Sequence, residues 1–332
     1  MIRDSLIIAL ISIVLVLTAV TYMTVFAPVG SGGPEQVLLI PEGSGIKSIA
    51  ISLKAAGLVR SARAFYLLSL LHGKGDLKAG EYAFKPHMSP LEILTIMEQG
   101  RVVQHKITIP EGYNIYQIAN VLDRKRIADR DDFLTCCGDP NVVRFWGIEG
   151  ETVEGYLFPD TYFFSRNIPV QRIIDTMIRR FWTVFTTPMS DRASEIGYTV
   201  HEIVTLASLI EKETALPSER SLISAVFHNR LKERMRLQCD PTVIYGMENY
   251  DGNLTKKDLR TVTPYNTYRK RGLPPGPIAN PGLGSLNAAL YPADAPYRYF
   301  VSRNDGSHEF SETLREHNRA VYTYQKRRKR TL

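Results

Sequence analysis

Val37 to Val59 reads VLLIPEGSGIKSIAISLKAAGLV, and His105 to Ile127 reads HKITIPEGYNIYQIANVLDRKRI. Ile40, Pro41, Glu42, Gly43, Ile46, Ile49, Ala50 and Leu53 align with Ile109, Pro110, Glu111, Gly112, Ile115, Ile118, Ala119 and Leu122, all at an offset of 69. Each copy starts as a short apolar strand, turns at Pro-Glu-Gly, and continues with apolar residues at i, i+3, i+4 and i+7, the period of a helix with one buried face. The chain therefore carries one strand–turn–helix unit twice. Strands and helices mixed along the sequence in this way predict an α+β fold. Between the copies, Ser89 and Glu92 have capping-box spacing, with Pro90 at the first helical position and Gly100 at the far end. These signals predict a small module over 36–104, followed by a larger domain over about 105–325 that opens with the second copy.

Upstream of the first copy, Leu6 to Ala27 runs LIIALISIVLVLTAVTYMTVFA without a charge. At 1.5 Å per residue such a run reaches about 33 Å, the thickness of a bilayer core. It is too long for the apolar part of a cleaved signal, and Val25-Phe26-Ala27-Pro28 is a poor cleavage site. We read it as a transmembrane signal anchor over 6–27, with a stub over 1–5 in the cytoplasm and the rest outside, although Arg3 is a weak orienting charge. PVGSGGPE at 28–35 is a flexible linker.

The chain has 332 residues, 44% hydrophobic and 23% charged, which excludes disorder and coiled coil as the main architecture. Its net charge of +7 owes much to the tail over 326–332, where Lys326, Arg327, Arg328, Lys329 and Arg330 are consecutive. Such a run is a solvated end or a contact for anionic lipid. With no zinc-finger spacing, RNP-like motif or basic helix in the body, nucleic acid is not expected as a partner. Cys136 and Cys137 are adjacent and Cys239 stands alone, so no disulfide framework is predicted.

The second half places Glu154-Gly155-Tyr156-Leu157-Phe158-Pro159-Asp160 in an aromatic loop, suited either to a carbohydrate groove or to core packing. Farther on comes VHEIVTLASLIEKET, from Val200. On a helical wheel Glu202, Thr205, Ser208 and Lys212 gather on one side and Ile203, Leu206, Ala207 and Ile210 on the other. Glu211 and Glu213 stand at opposite edges of the apolar side. Burial of either would raise its pKa toward neutrality and suit it to general acid catalysis, while an ion pair at a helix edge is the plain alternative. Other chemistries fall away. His201-Glu202 lacks the second His of a zinc-protease helix, and the remaining histidines show no ligand spacing, so no metal is expected. Ser44 and Lys47 form an S-x-x-K, and Ser165-Arg166-Asn167 an S-x-N, but without K-T-G we take both as chance. No Walker loop or G-x-G-x-x-G occurs, and no cofactor is predicted.

Glu154 to Tyr162 (EGYLFPDTY), Leu206 to Thr214 (LASLIEKET), Asn229-Arg230-Leu231, Met235 to Gln238 (MRLQ) and Asp240 to Val243 (DPTV) together resemble the endolytic murein transglycosylase, or YceG-like, family. So do Pro264 to Tyr268 (PYNTY), Gly272 to Ile278 (GLPPGPI), Asn280-Pro281-Gly282, and the closing His308 with His317-Asn318. The likeness runs in order from about Val37 to Tyr324. Cys239 departs from it, standing where a small hydroxyl residue is expected.

The resemblance implies a LysM-like module over 36–104 and a catalytic domain acting on peptidoglycan at the outer face of the inner membrane. The implied reaction cuts the MurNAc–GlcNAc bond within nascent glycan strands without water, leaving 1,6-anhydroMurNAc ends. The family's catalytic glutamate is expected at Glu211. Peptidoglycan synthases are the implied partners. Asp240, Asn266 and Tyr268 are expected to line the sugar groove, where amide, carboxylate and phenol groups bond hydroxyl and N-acetyl groups, although both segments are also good turn formers. Glu154 and Asp160 are expected to approach the substrate from their loop. Two alternatives remain open at this point: a hydrolytic muramidase with a second carboxylate, and a membrane-anchored scaffold that binds glycan without turnover.

Overall fold

The structure, a computed structural model, describes residues 2–72 and 77–326. Most of the basic tail, over 327–332, lies outside them. The chain divides into two compact units, the first comprising 1–106 and 163–168 and the second 107–162 and 169–332.

The first unit begins with α1 (Ile2–Val25). Its segment Ile7–Val25 has a mean hydropathy of 2.4 and is the one helix among the described residues long and apolar enough to cross a membrane. There follow β1 (Gln36–Ile40), α2 (Ile46–Ala55), α3 (Ala62–Leu71), β2 (Gly80–Phe84) and α4 (Pro90–Gln99). β1 and β2 pair antiparallel, with Gln36 opposite Phe84 and Ile40 opposite Gly80. Ile49, Ala50 and Leu53 of α2 join Phe65, Tyr82, Phe84, Ile93 and Met97 in one core. The α4 termini carry the full capping box at Ser89 and a left-handed Gly100 (φ 64°). Buried Glu81 is held between His105 and Arg166.

β3 (His105–Thr108) and β4 (Thr161–Phe164), which pair with each other, each include residues of both units; the second unit continues with α5 (Ile115–Arg124), α6 (Arg130–Cys137) and α7 (Pro140–Phe145). Next come α8 (Val170–Val184), α9 (Thr187–Glu195), α10 (Val200–Glu213), a single 3-10 turn (Pro217–Glu219), α11 (Arg220–Lys232) and α12 (Asp240–Tyr245). α13 (Leu283–Leu290), the hairpin β5 (Tyr299–Ser302) and β6 (His308–Ser311), and α14 (Leu314–Val321) complete it.

The two copies of the repeat fold alike. α2 and α5 start and end at an offset of 69, and Gly43 and Gly112 share a φ of 75°. Their helix starts differ in one respect: Asn114 and Gln117 make a capping box, whereas Gly45 has no side chain to offer.

α10 departs from the expected amphipathic pattern. All but one of the residues from His201 to Ile210 are buried, Glu202 alone being partly exposed. Thr205 and Ser208, expected on a wet face, are buried, Ser208 beneath Ile278 and the Thr205 hydroxyl turned back onto the His201 carbonyl. The Ser208 hydroxyl accepts from the Ile278 N–H at 3.0 Å and donates to the Thr205 carbonyl at 2.7 Å, so the polar face is satisfied without water. α9, α11, α12 and α13 all pack on this central helix.

Candidate active site

The site is organised by the C-terminal end of α10. Residues 211 and 213 are separated by about 200° around a helix, and two different environments meet them.

Glu211 faces the turn of the second repeat copy. Its Oε2 accepts from the Gly282 N–H at 3.0 Å, and its Oε1 lies 3.6 Å from Arg220 Nη2. The same guanidinium nitrogen lies 3.5 Å from Glu111 Oε2. Lys212 Nζ donates to the Gly112 carbonyl at 3.2 Å. A side chain at Gly282 would displace the Glu111 carboxylate, which lies against its Cα. With a side-chain exposure of 6%, Glu211 is a buried anchor of helix to turn. Glu111, in the Pro-Glu-Gly turn, was visible in the repeat but carried no hint of this partnership.

Glu213 faces the other way and lines a cleft of about 410 Å³ together with Arg230, Gln238, Asp240, Tyr268, His308 and His317. Burial pushes its pKa up to about 7, aided by the nearby Asp240 charge and opposed by a hydrogen bond from Cys239 and by the charges of His308 and Arg230. A carboxyl group with that pKa exists in both protonation states at neutral pH, the condition for giving and then taking a proton. Cys239, the residue that departs from the expected hydroxyl, is 1% exposed and packs against this carboxyl; burial raises its thiol well above the usual range.

The remaining expected residues separate. Asp240 and Tyr268 both line the Glu213 cleft, and the phenol donates to Asp240 Oδ1 at 2.5 Å. Asn266 is fully buried and does not reach the cleft. Its amide nitrogen donates to the carbonyls of Thr261 at 2.6 Å and of Asp258 and Leu259 at 3.3 Å, while its oxygen accepts from the Tyr268 N–H at 2.9 Å. It shapes the loop that presents Tyr268, because a lone amide side chain can satisfy several inward-facing loop carbonyls.

Glu154 is 2% exposed and accepts from Ile115 N–H at 3.0 Å, Tyr245 hydroxyl at 3.1 Å and Asn280 Nδ2 at 2.8 Å. Burial raises it to about 7 against those bonds. It borders a different hollow of about 450 Å³, with Tyr116, His201, Tyr245 and Tyr265, and not the cleft of Glu213. Asp160 sits beside Arg180, 2.6 Å from Nε, and the backbone N–H of Thr161 and this ion pair hold its pKa low. It is a partly exposed surface pair outside both hollows. The aromatic loop that carries these two residues is packed, not wet: Gly155 (φ 87°) lies so close to Pro277 and Val204 that an added Cβ would sit 2.5 and 2.8 Å from them.

Three residues of the site had no separate signal. Asn280, wholly buried, ties the Leu157 N–H, the Tyr113 carbonyl and Glu154 together across three distant motifs. Arg230 is buried under the cleft, its Nε donating to the Arg298 carbonyl at 2.6 Å and Nη1 to the Leu237 carbonyl at 2.7 Å. Glu219 holds His308 at the cleft wall, 2.7 Å from Nδ1. Their role depends on partners far away in sequence, which no periodicity announces.

Comparison with known proteins bears on the whole arrangement. Residues 38–323 match the model of the YceG-like family. A Bacillus subtilis (strain 168) protein named endolytic murein transglycosylase is 35% identical over 301 residues, covering 86% of this chain and 83% of that protein. A protein of the same name from Streptococcus pneumoniae serotype 2 is 29% identical over 327 residues, covering 89% of this chain but 59% of the relative. A crystal structure of a YceG-like protein from Listeria monocytogenes superposes with a TM-score of 0.60 at 35% identity, covering 87% of this chain and 99% of that one. Since the match runs from β1 through the cleft to the end of α14, this chain belongs to the YceG-like family.

Proposed function

We propose that this protein is an endolytic murein transglycosylase, a lytic enzyme that cuts within peptidoglycan glycan strands, and that Glu213 is its proton donor. The observation that carries this reading is a carboxyl group raised to about 7 on the wall of an open cleft beside Asp240 and Tyr268. Glu211, expected from the family resemblance to be the acid, is replaced in that role. Its carboxylate is engaged by Gly282 and Arg220 and is absent from the cleft lining, so a sugar in the cleft would not reach it.

In the reaction, the protonated Glu213 gives its proton to the glycosidic oxygen as the bond to C1 breaks with oxocarbenium character. The C6 hydroxyl of the same sugar closes on C1, and its proton returns to a base, for which the Glu213 carboxylate is chemically sufficient. No water enters. Asp240 and Tyr268 supply a carboxylate and a ring at the cleft edge for hydroxyl bonding and stacking.

The rest of the reading is assembled around this centre. The helix over 7–25 anchors the protein in the inner membrane, with the catalytic domain outside the cytoplasm. The strand–helix–helix–strand order of the first unit supports a LysM-like module over 36–104 that holds glycan. Synthases that make nascent strands are the natural partners for an enzyme that sets strand length. The test of the function is mass spectrometry of products from uncrosslinked glycan strands treated with the full chain in detergent micelles. Anhydro ends are expected; reducing ends would establish a hydrolase, and bound but uncut glycan a scaffold.

A further inference from the structure

The cleft holds a second group built for proton transfer. Both oxygens of Glu219 are spent on His308: Oε2 lies 2.7 Å from Nδ1, and Oε1 accepts from the His308 backbone N–H at 2.9 Å. The two side chains are 12% and 11% exposed. The imidazole is wedged edge-on between Phe300, at 5.4 Å, and Phe310, at 6.5 Å, which fixes its plane. With Nδ1–H committed to the carboxylate, Nε2 is the free nitrogen, and among the described residues no hydrogen-bond partner meets it. A carboxylate bonded to one imidazole nitrogen fixes the tautomer, presents the other nitrogen as an acceptor, and stabilises the imidazolium that forms when it takes a proton.

The other imidazole of the cleft, His317, is built differently. It stacks on Tyr299 at 5.2 Å, and its Nδ1 is buried with no partner. Burial and the Arg230 charge hold its pKa down, and no carboxylate positions it. The titratable groups sharing the cleft with His308 are Glu213, Asp240, Tyr268, Arg230 and His317.

We propose that His308, positioned by Glu219, is the base that receives the proton of the attacking C6 hydroxyl, so that donation and acceptance are divided between Glu213 and His308. This rests on the transglycosylase reading. The Glu213 proton passes to the departing glycosidic oxygen as its bond to C1 breaks. The C6 oxygen forms the new bond to C1, and its proton goes to His308 Nε2. The imidazolium then returns one proton to the Glu213 carboxylate through cleft water, which restores both groups for the next cut.

The test is the pH dependence of kcat/KM between pH 5 and 9, counting anhydro ends made by the full chain in detergent micelles. A divided mechanism requires Glu213 protonated and His308 neutral, so the wild-type profile falls on both sides. His308→Gln is expected to lower the rate about a hundredfold or more and to abolish the acid limb while keeping the alkaline one. Glu219→Gln, which loosens the hold on Nδ1, is expected to lower the rate about tenfold or more while the acid limb remains, and it serves if the first variant folds poorly; an unchanged rate in Glu219→Gln also overturns the proposal. A wild-type profile with only an alkaline limb, or an acid limb that persists in His308→Gln, overturns the proposal while anhydro ends keep the enzyme reading intact. A wild type that makes no anhydro ends removes both.

Discussion

Replacing Glu213 by Gln keeps shape and removes the proton that the reaction needs. Loss of a positioned general acid costs about 10² to 10⁴-fold in rate, which is about 3 to 5 kcal/mol of barrier. The matched control is Glu211→Gln. There the amide oxygen still accepts from Gly282 N–H, and only the long contact to Arg220, at 3.6 Å, loses its charge. The two side chains are largely buried, so losing that charge should cost up to about 3 kcal/mol of stability and lower the unfolding temperature, while the folded variant should keep turnover within about twofold of wild type. The wild-type enzyme should also carry the signature of its acid. With a pKa of about 7 for Glu213, the protonated fraction is about a half at pH 7 and about a tenth at pH 8, and kcat/KM should follow it down. The assay is the release of new anhydro ends from uncrosslinked strands, with circular dichroism to show that both variants fold. If Glu211→Gln abolishes cleavage and Glu213→Gln does not, the assignment reverses and the cleft is not the seat of the chemistry.

Other consequences are open to measurement. Asn266→Ala should cost about 1 to 3 kcal/mol of stability through unpaired loop carbonyls, with turnover lost through the displaced Tyr268; lost turnover at an unchanged unfolding temperature would instead make Asn266 a substrate ligand. Gly155→Ala forces a Cβ into Pro277 at a φ of 87° and should cost at least about 2 kcal/mol, so an unaltered melting temperature would show that the loop is not packed as described. Glu154 is raised from 4.5 to about 7: the folded state keeps a proton that the unfolded chain releases. Stability from this group is therefore full below pH 4.5 and is lost as pH rises through 7, by about 3 kcal/mol. Glu154→Gln should flatten that part of the denaturation profile, leaving the similar contribution of Glu213, and an unchanged slope would rule it out. Cys239→Thr presents a stronger donor to the Glu213 carboxylate and favours its charged form; the alkaline limb of kcat/KM should move to lower pH, and a limb that stays or rises contradicts the contact.

Much of the architecture was legible in the residues. The repeat at 40–53 and 109–122, the capping box at Ser89, the left-handed Gly100 and the apolar run at the N-terminus are local patterns. Their physics acts over one turn of helix or one strand, within a single reading window. The series of motifs from Glu154 to His317 carried the family because their order along the chain is itself sequence information. Their individual roles were less accessible. Asn266 and Tyr268 stand two residues apart in one motif, yet one is sealed in a loop and the other lines the cleft.

The choice between Glu211 and Glu213 shows where the boundary lies. By sequence alone the two are equivalent carboxylates at opposite edges of one buried face; the family resemblance points to Glu211, whereas we propose Glu213. Their difference comes entirely from residues that α10 meets only after folding. Arg220 and the Gly282 N–H engage one carboxylate, while burial in a recessed cleft wall and the nearby Asp240 charge raise the other to about 7. A pKa depends on desolvation and on charges a few ångströms away. The sequence by itself determined which helix carries the two candidate carboxyl groups; the tertiary structure decided which of them borders the cleft, because only the packed chain sets each group's solvent and neighbours.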